Sequence, residues 1–320
     1  MDDRSTLIAV LLRCEHQEFQ KAQAAAALEA GKREGVSVEV AFAENSPFTQ
    51  IRQVHAFVNR PPELRPGAIV VEMVGATEGY RNTARAALSA GIEWVEVSGL
   101  ASSIPLLRSE FPERFVISVT TDEEGVGRIH AEQCRVLLPA GGCILYIEGP
   151  SLQPESAARR QALEEGLRGT RITISRTLGG DWTGESIERS MTTFLEQTFG
   201  HPFVPALVCS QNDEMALGGR RTAVARHLDW GRIPYLGCDG LPGGGQKYVD
   251  EGALTATVVK PVTTGVAVMH AARAMRRRAQ RRDVRLAPQS LPPLDTLAEP
   301  RTQRRSLSPL SEEVLRRGQR

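Results

Sequence analysis

Short apolar runs alternate with helix-period segments along most of this chain, and the alternation starts afresh near its middle. Leu7–Leu12 is a continuous apolar run, as a parallel strand buried on both faces requires. Residues 22–28 then begin an alanine-rich helix that ends near Gly31 or Gly35, and 36–42 reads as a second strand. Pro47–Val58 has Ile51, Val54 and Val58 on one helical face, Ala68–Val71 is a third strand and 83–90 a helix. Strands at 94–97 and 115–119 complete the first run. A second run follows: helix 131–138, strand 143–147, helix 156–167, strand 172–174, helix 187–199, and strands 206–209 and 233–236. This rhythm predicts an α/β fold of two Rossmann-like lobes, each a doubly wound parallel sheet. A chain of 320 residues that is 41% hydrophobic can fill two such cores.

The turn between the strand at 206–209 and the helix after it carries the most chemistry. Ser210-Gln211-Asn212 is polar, Asp213 stands where a helix N-cap is wanted, and Met215, Ala216, Leu217 and Gly219 open the helix. Asn212 therefore lies at the carboxyl end of a strand, where open α/β sheets bind ligands. Its amide offers two donors and an acceptor, which suits a hydroxyl-rich ligand, although shaping the turn also accounts for it.

Gln211-Asn212-Asp213-Glu214-Met215-Ala216-Leu217-Gly218 resembles a signature of periplasmic sugar-binding proteins of the ribose-binding type, the superfamily of lactose-repressor-like effector domains. Residues 233–242 are similar to the family's strand ending in Gly-Phe-Asp-Gly, with Cys238 in place of the aromatic, and 252–261 is similar to its hinge strand. The resemblance covers about 6–297. It implies the periplasmic binding protein-like I fold: an N-terminal lobe of 5–120 plus 261–288, a C-terminal lobe of 121–260 plus 289–298, and a hinge of several strands. The arginine-rich remainder, 299–320, reads as a mobile tail.

The resemblance also implies a ligand site between the lobes. Arg13, Gln17 and Phe19 stand in the first loop, with Gln20 departing from a second aromatic. Glu72 ends the third strand, and Ser98 and Gly99 end the fourth where ribose-binding proteins carry an Asp-Arg pair. In the second lobe Arg159 matches the pocket arginine, Trp182 the stacking ring, and Asn212, Asp239 and Lys260 complete the set, Lys260 standing where glutamine is usual. Aromatic rings cover the apolar faces of a sugar and charged groups take its hydroxyl rim. Other readings stay open: Phe19 as core, Trp182 as packing at a helix start, and Arg13 and Glu72 as partners of each other. Arg13, Arg159 and Lys260 against Glu72 and Asp239 leave one excess positive charge, which predicts a preference for a sugar acid or phosphorylated polyol over a neutral sugar.

The implied function is non-catalytic binding of a sugar, sugar acid or polyol as the solute-binding protein of an ABC-type importer, with a permease as partner. The alternative is a sensing effector domain acting on a regulatory protein. An enzyme is the weakest reading: no nucleophile elbow surrounds any serine, 240–247 lacks the ending of a phosphate loop, and the histidines show no ligand spacing. No cofactor and no metal are expected. A net charge of +1 argues against direct nucleic-acid binding, and no run approaches the roughly 18 apolar residues of a membrane span. The five cysteines fit buried free thiols. Without a signal peptide the chain as written is expected in the cytoplasm, or in the periplasm if a leader has been removed.

Overall fold

The computed structural model describes residues 6–75, 78–98, 103–151, 153–197, 203–226, 228–276 and 280–298. The tail beyond 298, Gly99, and the histidines at 201 and 227 lie outside them. The chain divides into two units: one of residues 1–121 with 261–286, the other of 122–260 with 287–320.

The first unit begins with β1 (Leu7–Leu12), α1 (Glu18–Glu34), β2 (Ser37–Phe42), α2 (Pro47–Val58), β3 (Ala68–Val71), α3 (Glu78–Ser89), β4 (Glu93–Val97), α4 (Ile104–Glu110) and β5 (Val116–Thr121). The second continues with α5 (Glu123–Leu137), β6 (Gly142–Glu148), α6 (Pro154–Leu167), β7 (Ile172–Gly179), α7 (Gly184–Gln197), β8 (Leu207–Ser210), α8 (Asp213–Ala225), β9 (Tyr235–Asp239), α9 (Lys247–Asp250) and β10 (Ala256–Val259). The chain then returns to the first unit with α10 (Thr264–Met275) and β11 (Val284–Leu286), and ends in the second with β12 (Gln289–Leu291) and α11 (Leu294–Leu297).

Each unit holds a six-stranded sheet, ordered β11-β5-β4-β3-β1-β2 in the first and β12-β10-β9-β8-β6-β7 in the second. Every pairing is parallel except that of β12 with β10. The continuous apolar run of β1 is explained by its place between β3 and β2. Ile8, Val10 and Leu12 pack under α1 and α10, while Ala9 and Leu11 pack with residues of α2, α3 and α4. The strand order reverses between β1 and β3, and again between β6 and β8. These are the switch points at which doubly wound sheets leave a crevice at their carboxyl ends.

Several elements differ from the sequence expectation. α5 runs on from the acidic helix start at 122–124, eight residues ahead of the periodic segment at 131–138, and the Asp122 carboxylate caps it, accepting the Gly125 N–H at 2.8 Å. Gly127 is needed in α5: a Cβ would lie 2.3 Å from the Arg159 carbonyl oxygen of α6. α8 is capped by Asn212, whose Oδ1 accepts the Met215 N–H at 2.9 Å, and not by Asp213, whose carboxylate turns inward. α4, β11 and β12 were not expected. β11 is fastened by Asp283, which accepts from Arg108 Nη2 at 2.6 Å and from the Ser118 N–H at 2.8 Å. The five cysteines are free, and all but Cys143 are buried.

Candidate functional site

Both switch points are lined by polar side chains. In the first unit, Arg13 follows β1 and Glu72 follows β3, and both are buried. Arg13 Nε lies 3.3 Å from Glu72 Oε1 and donates to the Met73 carbonyl at 3.2 Å. The Arg13 N–H donates to Gln20 Oε1 at 3.2 Å, and Gln20 Nε2 donates to Glu72 Oε2 at 3.1 Å. So Arg13 and Glu72 do pair, and Gln20 joins them where an aromatic was looked for. Gln50 braces this group from α2: its Nε2 donates to the Glu72 carbonyl at 2.9 Å, and its Oε1 accepts from the Val74 N–H at 3.0 Å and the Tyr80 hydroxyl at 2.5 Å. Burial pushes the Tyr80 hydroxyl up to about 12, so it remains a donor at neutral pH. Gln17 precedes α1 without making a side-chain cap bond. Phe19, one helical step on, is buried yet belongs to neither apolar core cluster of the unit among the described residues. Ser98 ends β4 with a φ of 58°.

In the second unit, Arg159 reaches from α6 and is 2% exposed. Its Nε donates to Glu123 Oε2 at 2.7 Å, its Nη1 donates to the Gln211 carbonyl at 2.7 Å, and its guanidinium carbon stands 5.5 Å from the centre of the Trp182 ring. Burial is the largest influence and works against this charge, but the Glu123 carboxylate beside it, together with Cys238 and Asp239, holds the pKa of Arg159 above its ordinary value. Nη2 makes no hydrogen bond to the described residues. Gln211 is saturated: its Nε2 donates to the Tyr146 hydroxyl at 2.6 Å and the Ser156 carbonyl at 2.8 Å, while its Oε1 accepts from the Gly149 N–H at 3.0 Å.

Trp182 rests its six-membered ring on Gly149, where a Cβ would come within 2.2 Å of Cη2, and its Nε1 donates to Gln153 Oε1 at 2.7 Å. Asp239 ends β9, with Lys260 Nζ 3.3 Å from its Oδ1. Burial is the largest influence and opposes the Lys260 charge, and the carboxylates of Asp239 and Glu123 with Cys238 together leave the pKa raised. Asn212 spends its Oδ1 on the α8 cap and donates through Nδ2 to the Trp182 carbonyl at 2.8 Å.

Glu123 is not among the site residues read from the sequence, where 122–124 counts as a helix start. An acidic residue in the first turn of a helix is already explained by the helix dipole, so nothing in the sequence marked it as a partner. With Glu123 counted, Arg13, Arg159 and Lys260 face Glu72, Glu123 and Asp239, each pair within one unit. The excess positive charge read from the sequence does not arise.

Backbone strain marks the same places. Among the described residues, the non-glycine residues with positive φ are Glu44, Asn45, Ser98, Trp182 and Asp239. All of them end or closely follow a strand on its carboxyl side. Strained backbone persists where surrounding contacts over-determine it, and it gathers at ligand sites.

His130, from α5, backs this group. Its Nε2 donates to the Gly237 carbonyl at 2.9 Å. Full burial drives its pKa down to about 4, against the pull of that carbonyl. The folded state therefore favours neutral His130, a contribution present above pH 6.5 and lost as the pH falls through about 4. Asp213 and Asp239 are shifted upward by burial and act in the opposite sense, so the effect has to be read against a variant. Wild type is expected to lose roughly 3 kcal/mol relative to His130→Gln between pH 7 and pH 3.5. Parallel urea-stability profiles for the two proteins over that range would contradict this.

The profile described as periplasmic binding protein domain matches residues 8–278. No curated protein matches the chain. Among solved structures, the Caulobacter myo-inositol binding protein bound to myo-inositol superposes with a TM-score of 0.76 at 20% identity, over 89% of this chain and 92% of that one. The periplasmic binding protein component of the arabinose ABC transporter from Shewanella sp. ANA-3, bound to α- and β-L-arabinofuranose, gives 0.77 at 20% identity, over 97% and 98%. An ABC transporter periplasmic solute binding protein from Actinobacillus succinogenes 130z with bound D-allose gives 0.76 at 19% identity, over 91% and 98%. At these identities the structures speak for the fold, while the profile match spans most of the chain. This chain belongs to the periplasmic binding protein domain family.

Proposed function

We propose that this protein binds a neutral sugar or cyclic polyol, without turning it over, as the solute-binding component of an ABC-type importer. The observation that carries the reading is charge matching. Arg13, Arg159 and Lys260 are each ion-paired within their own unit, while hydrogen-bonding capacity remains, as at Arg159 Nη2. Paired charges make strong hydrogen bonds to hydroxyls, worth roughly 1.5–3 kcal/mol each, without requiring a ligand charge to balance them. The similar structures hold myo-inositol, L-arabinofuranose and D-allose. No helix among the described residues is long and apolar enough to cross a membrane, so translocation would fall to a partner permease.

Titration calorimetry with matched pairs such as D-galactose and D-galacturonate tests the charge argument. The neutral member is expected to bind about tenfold or more tightly, since a further anion would compete with carboxylates already paired. Tighter binding of the acid would reverse the reading. Recovery of the bound compound unchanged after prolonged incubation is the companion test, and turnover would point to an enzyme.

Trp182 supplies a second readout. Trp94 and Trp230 are buried in apolar clusters, leaving Trp182 as the partly buried indole. Ligand is expected to change the tryptophan emission, and Trp182→Phe to remove that change. A signal surviving in Trp182→Phe would assign the ring to packing alone.

A further inference from the structure

The two non-glycine residues of the second unit with positive φ among the described residues, Trp182 at 74° and Asp239 at 104°, are each tied to one of two consecutive residues, Asn212 and Asp213, where α8 starts. Asn212 Nδ2 donates to the Trp182 carbonyl at 2.8 Å. Asp213 Oδ2 accepts the N–H of Gly240, the residue after Asp239, at 2.7 Å, and its Oδ1 accepts from the Thr257 hydroxyl at 2.6 Å. The Asp213 carboxyl fits a cradle that only glycines leave open: a Cβ at Gly237 would lie 2.2 Å from Oδ1 and one at Gly245 2.1 Å from Oδ2. From the other side, His130 holds the Gly237 carbonyl. The segment 237–240 is thus fixed on both sides of Asp239.

We propose that Asn212 and Asp213 are positioning residues: Asn212 holds Trp182, and Asp213, with His130 opposite, holds Asp239 in the left-handed conformation that presents its carboxylate. An aspartate with φ above +90° is costly for an L-residue, so the conformation needs an external anchor. Asn212 has committed its oxygen to the α8 cap and one amide hydrogen to Trp182. The positioning contribution of Asn212 to binding runs through the indole it holds. This inference rests on the sugar-binding reading only for its affinity readout, because the anchoring can be measured without ligand.

The ligand-free arm is amide hydrogen exchange at Gly240, followed by NMR. Asp213→Ala is expected to speed exchange at least tenfold. Asp213→Asn should keep protection, since its amide oxygen can accept from Gly240 and its NH2 can donate to the Thr257 hydroxyl. Where Asp213→Ala does not fold, Thr257→Val removes the hydroxyl that orients the carboxylate without opening a hole, and should speed exchange in the same direction. Unchanged Gly240 exchange in the folded variant overturns the proposal for Asp239. For Trp182, Asn212→Asp keeps the helix cap and removes only the donor, and should red-shift the ligand-free tryptophan emission. An unchanged spectrum overturns that half.

The binding arm uses whichever of myo-inositol, L-arabinose and D-allose binds the wild type. Asp213→Ala should weaken binding at least tenfold in the wild-type background and less than twofold in Asp239→Ala. Equal losses in both backgrounds would show a merely structural role and overturn the proposal. If none of the three binds, the sugar reading fails in that form, and the exchange and emission measurements still decide the anchoring.

Discussion

Arg159→Ala is expected to destabilise the protein by about 3–5 kcal/mol and to abolish sugar binding. The guanidinium is almost fully buried, so its removal leaves the Glu123 carboxylate without the cation 2.7 Å away and the Gln211 carbonyl without a donor. A broken buried pair costs more than the intact pair contributes, because the remaining charge stays out of water. Urea denaturation checks the stability loss. Removing both partners in Arg159→Met/Glu123→Gln should restore much of it without restoring binding. Recovery of binding in the double variant would mean that Arg159 only neutralises Glu123.

Asp239→Ala is expected to weaken sugar binding roughly 10- to 100-fold while the second unit stays folded. A carboxylate can accept from two hydroxyls, and a charged acceptor is worth more than a neutral one. The variant also leaves Lys260 without its partner at 3.3 Å, so burial should then lower the lysine pKa from its raised value. Adding Lys260→Gln removes that complication. Calorimetry on both variants should show the same loss. Wild-type affinity in Asp239→Ala would take the residue out of the binding machinery.

The sheets were the most legible part of this chain because a strand buried on both faces has only one kind of sequence. Leu7–Leu12 and Ala68–Val71 could not be amphipathic and still sit in the middle of a covered sheet. The three-residue strands β11 and β12 are too short to show a period, and their pairing comes from where the chain returns, not from local preference. The acidic start of α5 was legible, but not that Gly127 serves a close crossing with α6. At the site, residue types and their strand-end positions were legible, but their partners were not. Glu123 and Arg159 are 36 residues apart and meet only because that crossing brings them together. Asn212 and Asp213 read alike in a turn, yet one caps α8 and the other turns into the glycine cradle. Such a division depends on which carbonyls and amides the fold brings near, and a single sequence does not contain that.

The central claim is that this chain binds a neutral polyhydroxylated ring. Calorimetric titration of the purified wild type with a panel of neutral pentoses, hexoses and inositols, beside their acid and phosphate counterparts, tests it most directly. A single-site isotherm with a neutral member, lost in Arg159→Met/Glu123→Gln, is the predicted result. Binding confined to the charged members, or no heat from any member of the panel, would contradict it.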